Sequence, residues 1–185
     1  MRVISGTARG TKLYSIESIH TRPTLDRVKE PLFSMIQTHL PNAVILDLFG
    51  GSGALAIEAL SRGAKQAYIC DCSWQAIDKI KENLKKTHLA EKANVEKMDY
   101  SKYLGKLQAQ GCQFDIIFID PPYARNLAIP ATKEIIEKNL LKEDGIIIVE
   151  TDDQVRDIEG LQTLEIDQYD IRKYGRVCLI FLRRK

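Results

Sequence analysis

Ala43-Val44-Ile45-Leu46-Asp47-Leu48-Phe49-Gly50-Gly51-Ser52-Gly53 carries an apolar run into a glycine turn, and Ala54 to Arg62 then repeats apolar residues at helical spacing. Strand, glycine turn, helix is the opening unit of an open α/β sheet. Gly51 and Gly53 lack a Cβ, so the turn can take positive φ and bring backbone N–H groups against a ligand at the helix N-terminus. That geometry implies a nucleotide-type cofactor. Downstream, Ala67-Tyr68-Ile69-Cys70 reads as a second strand and ends in Asp71, 18 residues after Gly53. An acid at this place suits a bidentate hold on ribose hydroxyls.

The loop alone leaves two cofactors open. Gly51-Ser52-Gly53-Ala54-Leu55-Ala56 also satisfies G-x-G-x-x-A with an acid about 20 residues on, the dinucleotide fingerprint. Against that stand Asp47, placed to receive a cationic amino group, and a turn without a phosphate-pairing Arg or Lys.

A second feature tips the balance. The buried-strand run Phe114-Asp115-Ile116-Ile117-Phe118-Ile119 ends in Asp120-Pro121-Pro122-Tyr123, and open α/β sheets place ligands just outside the carboxyl ends of their strands. An amine conjugated to a nucleobase is a poor nucleophile because its lone pair is delocalised into the ring. The Asp120 carboxylate and the Pro121 carbonyl can accept its two N–H groups and turn the lone pair outward. Consecutive prolines fix φ and stiffen the backbone that aims these acceptors. Tyr123 offers a flat face on which an unstacked base can rest. Read as an ordinary Pro-Pro turn, the tetrapeptide would leave Asp120 solvated and Tyr123 packed on the core. A methyl donor and an amine-positioning loop explain each other, so S-adenosylmethionine is the better cofactor.

Alternation continues along the chain. Strands are expected at 43–48, 66–71, 94–97, 113–119 and 145–150, each followed by a helix, at 53–62, 73–87, 100–109, 127–138 and near 153–158. Segments 162–170 and 176–183 flank Lys173-Tyr174-Gly175 as a terminal hairpin. Residues 2–5 and 11–14 read as a small hairpin, and Thr24 can cap a helix from Leu25 to about His39. The fold class is therefore α/β: a mostly parallel, seven-stranded Rossmann-like sheet with helices on both faces and a C-terminal antiparallel hairpin. The first and fourth strands should meet at the topological switch point, placing Gly51 and Asp120 in one crevice.

With 185 residues, one domain over 1–185 is expected, an N-terminal extension (1–40) preceding a catalytic core (41–185). No apolar stretch approaches the ~20 residues that span a bilayer, and the start lacks a signal-peptide core, so a cytoplasmic protein is expected. Cys70, Cys72, Cys112 and Cys178 lack metal spacing and read as buried free thiols; no metal is expected. Residues 1–40 hold six Lys/Arg against three Asp/Glu, and residues 171–185 hold six against none, within a net charge of only +2. Basic ends around an acidic body suit contact with nucleic acid.

The chain resembles the bacterial 16S ribosomal RNA guanine-N2 methyltransferases of the RsmD type over essentially its whole length. The resemblance rests on Met1-Arg2-Val3-Ile4-Ser5-Gly6 with Arg9-Gly10, Thr21-Arg22-Pro23-Thr24 through Arg27-Val28-Lys29-Glu30, Leu46 to Gly53, Glu58 to Ala64, and Asp120 to Tyr123, in that order. It implies the class I methyltransferase fold, S-adenosylmethionine as cofactor, and N2-methylation of a guanine in 16S rRNA. It further implies that Asp47, Gly51 and Gly53, in the run with Phe49 and Gly50, hold the methionine part of the cofactor, and Asp71 its ribose. Asp99 would meet the adenine amino group with Tyr100 beside it. The arm bearing Arg9, Arg22, Thr24 and Arg27 would cover cofactor and target base. Catalysis would fall to Asp120, Pro121 and Tyr123. The small ribosomal subunit is the expected partner and a monomer the expected state. Adenine-N6 methylation of DNA or RNA, and a non-catalytic nucleotide-binding ribosome-assembly module, are the alternatives.

Overall fold

The computed structural model describes residues 1–16, 24–122 and 125–185, with residues 24–26 described by backbone only. Seven strands, β1 (Val44–Asp47), β2 (Gln66–Asp71), β3 (Ala93–Lys97), β4 (Phe114–Ile119), β5 (Leu141–Thr151), β6 (Asp167–Tyr174) and β7 (Val177–Arg183), form one sheet in the order β3-β2-β1-β4-β5-β7-β6. Pairing is parallel from β3 through β5, and β7 is antiparallel to both β5 and β6. The order reverses between β1 and β4, which lie side by side with Asp47 opposite Phe118. The expected switch point is therefore present, and it opens at the carboxyl ends of these strands.

Alternation along each strand divides the core in two. Ile45, Ile69, Ile116, Phe118 and Ile148 face α1 (Thr24–Met35), α2 (Ala54–Ser61) and α3 (Trp74–Lys86). Leu46, Leu48, Ile117, Ile119 and Val149 face α4 (Tyr100–Ala109), α5 (Ala128–Glu137) and α6 (Gln154–Gln162). Strands buried on both faces read as unbroken apolar runs, which is why β1 and β4 were legible.

Four boundaries differ from expectation, each for a local reason. α1 ends at Met35 and a 3-10 turn covers Gln37–His39; the tighter winding still buries Ile36 and Leu40. β5 begins at Leu141, with a register shift against β4 between Phe114 and Ile116. α6 continues to Gln162, so β6 starts at Asp167 instead of 162. Gly160 looks like a breaker, yet a Cβ there would lie 2.2 Å from Ile129 Cδ1; the glycine allows α6 to approach α5. At the N-terminus the expected hairpin reduces to an antiparallel bridge, Arg2 with Lys12.

The reason for that reduced hairpin is a buried carboxylate. Ile4 and Ser5 donate their N–H groups to Glu58 on α2, at 2.8 and 3.0 Å, instead of to a partner strand. Glu58 also receives Arg62 Nε at 2.8 Å and Lys29 Nζ at 3.2 Å, and Lys29 donates to the Arg2 carbonyl. Lys29 and Glu58 have fully buried side chains, so this cluster locks arm, α1 and α2 together. Gly6 is required beside it: φ is +85° and a Cβ would lie 1.8 Å from the Ser61 carbonyl oxygen. Removing one partner of a buried pair leaves an uncompensated charge. Lys29→Met is accordingly expected to destabilise the protein by about 3 kcal/mol, the low end of such losses because Arg62 remains on Glu58. Equilibrium urea denaturation measures this; a change under ~1 kcal/mol would show that the pair contributes little beyond its packing.

Candidate active site

Along the carboxyl edge of the sheet, four neighbouring strands each deliver an acid: Asp71 ends β2, Asp47 ends β1, Asp120 follows β4, and Glu150 lies near the end of β5. Asp47 is buried, and its Oδ2 accepts the Ala56 N–H at 3.3 Å across the start of α2. Among the described residues its Oδ1 is buried without a hydrogen-bond partner. Burial, with Asp71 nearby adding to it, pushes its pKa up to about 7 despite the backbone N–H groups that favour the anion. Asp120, half-buried, is also raised well above the ordinary carboxylate range, first by desolvation and then by Glu150 and Asp47. Ionising neighbouring carboxylates together is costly, and a cation among them offsets that cost.

The glycine turn has the conformation its composition calls for, and its N–H groups are used internally. Gly51 and Gly53 have φ of +54° and +78°. Gly50 N–H donates to the Cys70 carbonyl, Gly51 N–H to Asp71 Oδ2 at 3.0 Å, and Gly53 N–H to the Gly50 carbonyl. The expectation that these donors face a ligand is corrected: three groups that would cradle a pyrophosphate are already paired. What the turn offers is room. A Cβ on Gly51 would meet nothing nearer than the Phe49 carbonyl oxygen at 4.0 Å, whereas one on Gly50 would strike Ile69 at 2.6 Å.

Asp71 carries more than one duty, since its Oδ1 also accepts the Ser73 N–H at 2.9 Å. Asp99 lies two residues beyond β3 and caps α4, Oδ1 accepting from Ser101 and Lys102. Tyr100 leans on Phe49 with ring centroids 5.5 Å apart, so the turn after β1 and the start of α4 meet across β2. Pro121 is buried and Pro122 exposed. Asn126, before α5, is tied to the start of α6: the Arg156 guanidinium binds Asn126 and Asp157, and Asp157 receives the Thr151 hydroxyl.

Tyr123 and Arg22 lie outside the described residues, as does the side chain of Thr24. Arg9 and Arg27 are exposed, and among the described residues neither is ion-paired. Cys72 is exposed and Cys112 half-buried, against the expectation that all four thiols are buried; Cys70 and Cys178 are buried. Two participants escaped the sequence reading. Glu150 ends an apolar run just as Asp47 and Asp71 do, and that repeated pattern was the available signal. Asn83 gave none: from inside α3 its side chain bonds both backbone groups of Tyr14 and, through Nδ2, the Ser52 carbonyl of the glycine turn at 2.9 Å. It ties the N-terminal arm to that turn.

Among the described residues no helix is long and apolar enough to cross a membrane. The described fold superimposes on the solved structure of the Escherichia coli protein yhhF with a TM-score of 0.84 at 29% identity, covering 100% of this chain and 98% of that one. The Bacillus subtilis protein YlbH is 41% identical over 155 residues, 84% of each chain. The ribosomal RNA small subunit methyltransferase D of Haemophilus influenzae is 39% identical over 82% of this chain and 79% of its own, and that of Escherichia coli 35% identical over 82% and 75%. With the model of the family described as conserved hypothetical protein 95 matching residues 1–183 as well, the chain belongs to that family, in which its relatives include the small-subunit rRNA methyltransferases D.

Proposed function

We propose that the protein transfers a methyl group from S-adenosylmethionine to the exocyclic N2 amine of a guanine in 16S rRNA, acting on the assembled or assembling small subunit. The observation that carries this reading is the row of carboxylates on the sheet edge, with Asp47 Oδ1 buried and, among the described residues, unpartnered. A ligand bearing an ammonium and a sulfonium suits that row; a pyrophosphate would be repelled by it, and the Gly50, Gly51 and Gly53 N–H groups are paired within the protein. The family's methyltransferases point to rRNA as the substrate.

S-adenosylmethionine, when bound, supplies an electrophilic methyl group on a sulfonium. Asp47 would receive its ammonium, and Asp71 its ribose hydroxyls with the lone pairs left over from Gly51 and Ser73. Asp99 would take the adenine amine on the carboxylate oxygen that does not cap α4, with Tyr100 and Phe49 as neighbouring ring surfaces. Asp120 and the Pro121 carbonyl accept the two hydrogens of the target amine and hold its lone pair toward the methyl, so alignment supplies most of the rate. Asp120, ionised when the cationic cofactor lies beside it, would suit the proton that leaves as the N–C bond forms, because its burial and the neighbouring Glu150 and Asp47 raise its proton affinity. Tyr123 would stack the extruded base. Arg9, Arg22 and Arg27 would position RNA phosphates, and residues 1–40 would act as a cover continuous with the core.

Phosphate contacts position a body without reading sequence, so selectivity would come from the shape of assembled RNA and protein. Small subunits or late assembly particles should be methylated at least about tenfold faster than a free hairpin of the same sequence, which corresponds to only ~1.4 kcal/mol of additional contact. The test is labelled-methyl transfer to both substrates, followed by nucleoside analysis. N2-methylguanine is the expected product. N6-methyladenine would replace the target assignment, absence of transfer would favour an assembly module, and equal rates on both substrates would make recognition local.

A further inference from the structure

On the outer face of α3 and the edge strand β3, toward the amino end of β3, lies an open groove of about 280 Å³ lined by Lys81, Leu84, Ala90, Ala93 and Val95. Its floor is apolar. Toward the crevice and outside that lining, at the start of α3, stands Trp74, the only tryptophan of the chain, 63% exposed and three residues past Asp71. Lys97, on the same face of β3 as Ala93 and Val95, places Nζ 5.4 Å from the Trp74 ring. Lys81 and Lys97 are exposed, and among the described residues neither is ion-paired. Nothing in the mechanism uses any of these groups.

An exposed indole costs solvation unless something stacks on it, and single-stranded nucleic acids are held by aromatic faces flanked by cations that follow the phosphates. The groove lies just below the ~300–1,000 Å³ of a small-molecule pocket, room for a base and too little for a folded partner. We propose that this face, from Trp74 to the groove, is a second RNA subsite, in which an unpaired nucleotide neighbouring the target stacks on Trp74 while Lys97 and then Lys81 hold phosphates of the strand that leads toward the groove. The subsite would fix the direction in which the strand leaves the crevice. The inference rests on the reading of the substrate as rRNA, and it adds a contact surface apart from the N-terminal arm.

The lone tryptophan makes the test direct. With the protein saturated with S-adenosylhomocysteine, to remove any response to cofactor, intrinsic fluorescence is followed during titration with deproteinised 16S rRNA and, separately, with small subunits. Both should quench Trp74. Trp74→Ala should weaken RNA binding roughly fivefold or more and Trp74→Phe far less, as stacking energies require. Lys81→Ala with Lys97→Ala should reduce the magnitude of the salt slope by about two while cofactor affinity stays unchanged. All three residues are exposed, so the variants fold. RNA that binds without changing the fluorescence, or an unchanged salt slope in the double variant, overturns the subsite. Quenching by small subunits alone would assign the groove to a ribosomal protein and equally overturn it. Quenching by RNA from a protein that never transfers methyl would leave the subsite standing and remove the catalytic reading.

Discussion

Replacing Asp120 with alanine should lower methyl transfer at least ~100-fold, the scale on which a positioned proton acceptor contributes, while cofactor affinity changes by no more than a few-fold. The expectation follows from the division of the carboxylate row. Asp120 follows β4 and meets the amine, whereas Asp47 and Asp71, on the two neighbouring strands, meet the cofactor. Its loss also removes a negative neighbour from Asp47, which lets Asp47 ionise more readily while leaving one acid fewer for the cation, so the two opposed effects keep the change in affinity small. Single-turnover rates and cofactor titration together decide the matter. Parallel loss of rate and affinity would move Asp120 into the cofactor site. Asp120→Asn is a sharper variant, since its carbonyl can still accept one N–H while the amide cannot take up the departing proton; a rate near that of the wild type would show that the proton leaves to water.

The second large effect concerns Asp47. Its ordinary pKa of 3.8 rises to about 7 in the folded protein because burial disfavours the anion. Binding an ammonium requires that anion, so affinity for S-adenosylmethionine should strengthen as pH rises through about 7. It should weaken again where the ligand's own amino group deprotonates, at about 8 by the usual α-amino value. Asp47→Asn should remove the lower limb and cost roughly 100-fold in affinity at pH 7.5, the loss expected when a buried charge pair is broken. Stability carries the opposite sign. The folded state holds the proton more tightly than the unfolded chain, so the empty protein should lose stability as pH rises from about 4 to about 7, by about 4 kcal/mol, and no more above it. Asp47→Asn should therefore melt higher than the wild type at pH 8 without ligand. A pH-independent affinity, or a variant less stable at pH 8, would place the buried charge elsewhere.

Several features of the site were determined by local sequence. Asp47, Asp71 and Asp120 each terminate an apolar run, and burial on both faces of a parallel sheet makes those runs continuous and their ends conspicuous. The glycine turn was equally plain, because φ of +54° and +78° at Gly51 and Gly53 admits few other residues. Tertiary structure decided what those groups bond to. The turn's N–H groups were expected to face a ligand, and the fold gives them to Cys70, Asp71 and Gly50. The sixth helix was expected near 153–158, and it runs to Gln162 through Gly160, whose missing Cβ makes room for Ile129 on the neighbouring helix. Neither Glu58, which draws Ile4 and Ser5 away from a hairpin, nor Asn83, which bridges residues 31 and 69 positions away, leaves any periodic trace. Periodicity records which face of an element is buried. A polar side chain satisfied across the fold has its partner far away in sequence, and only the packed chain brings the two within hydrogen-bond distance.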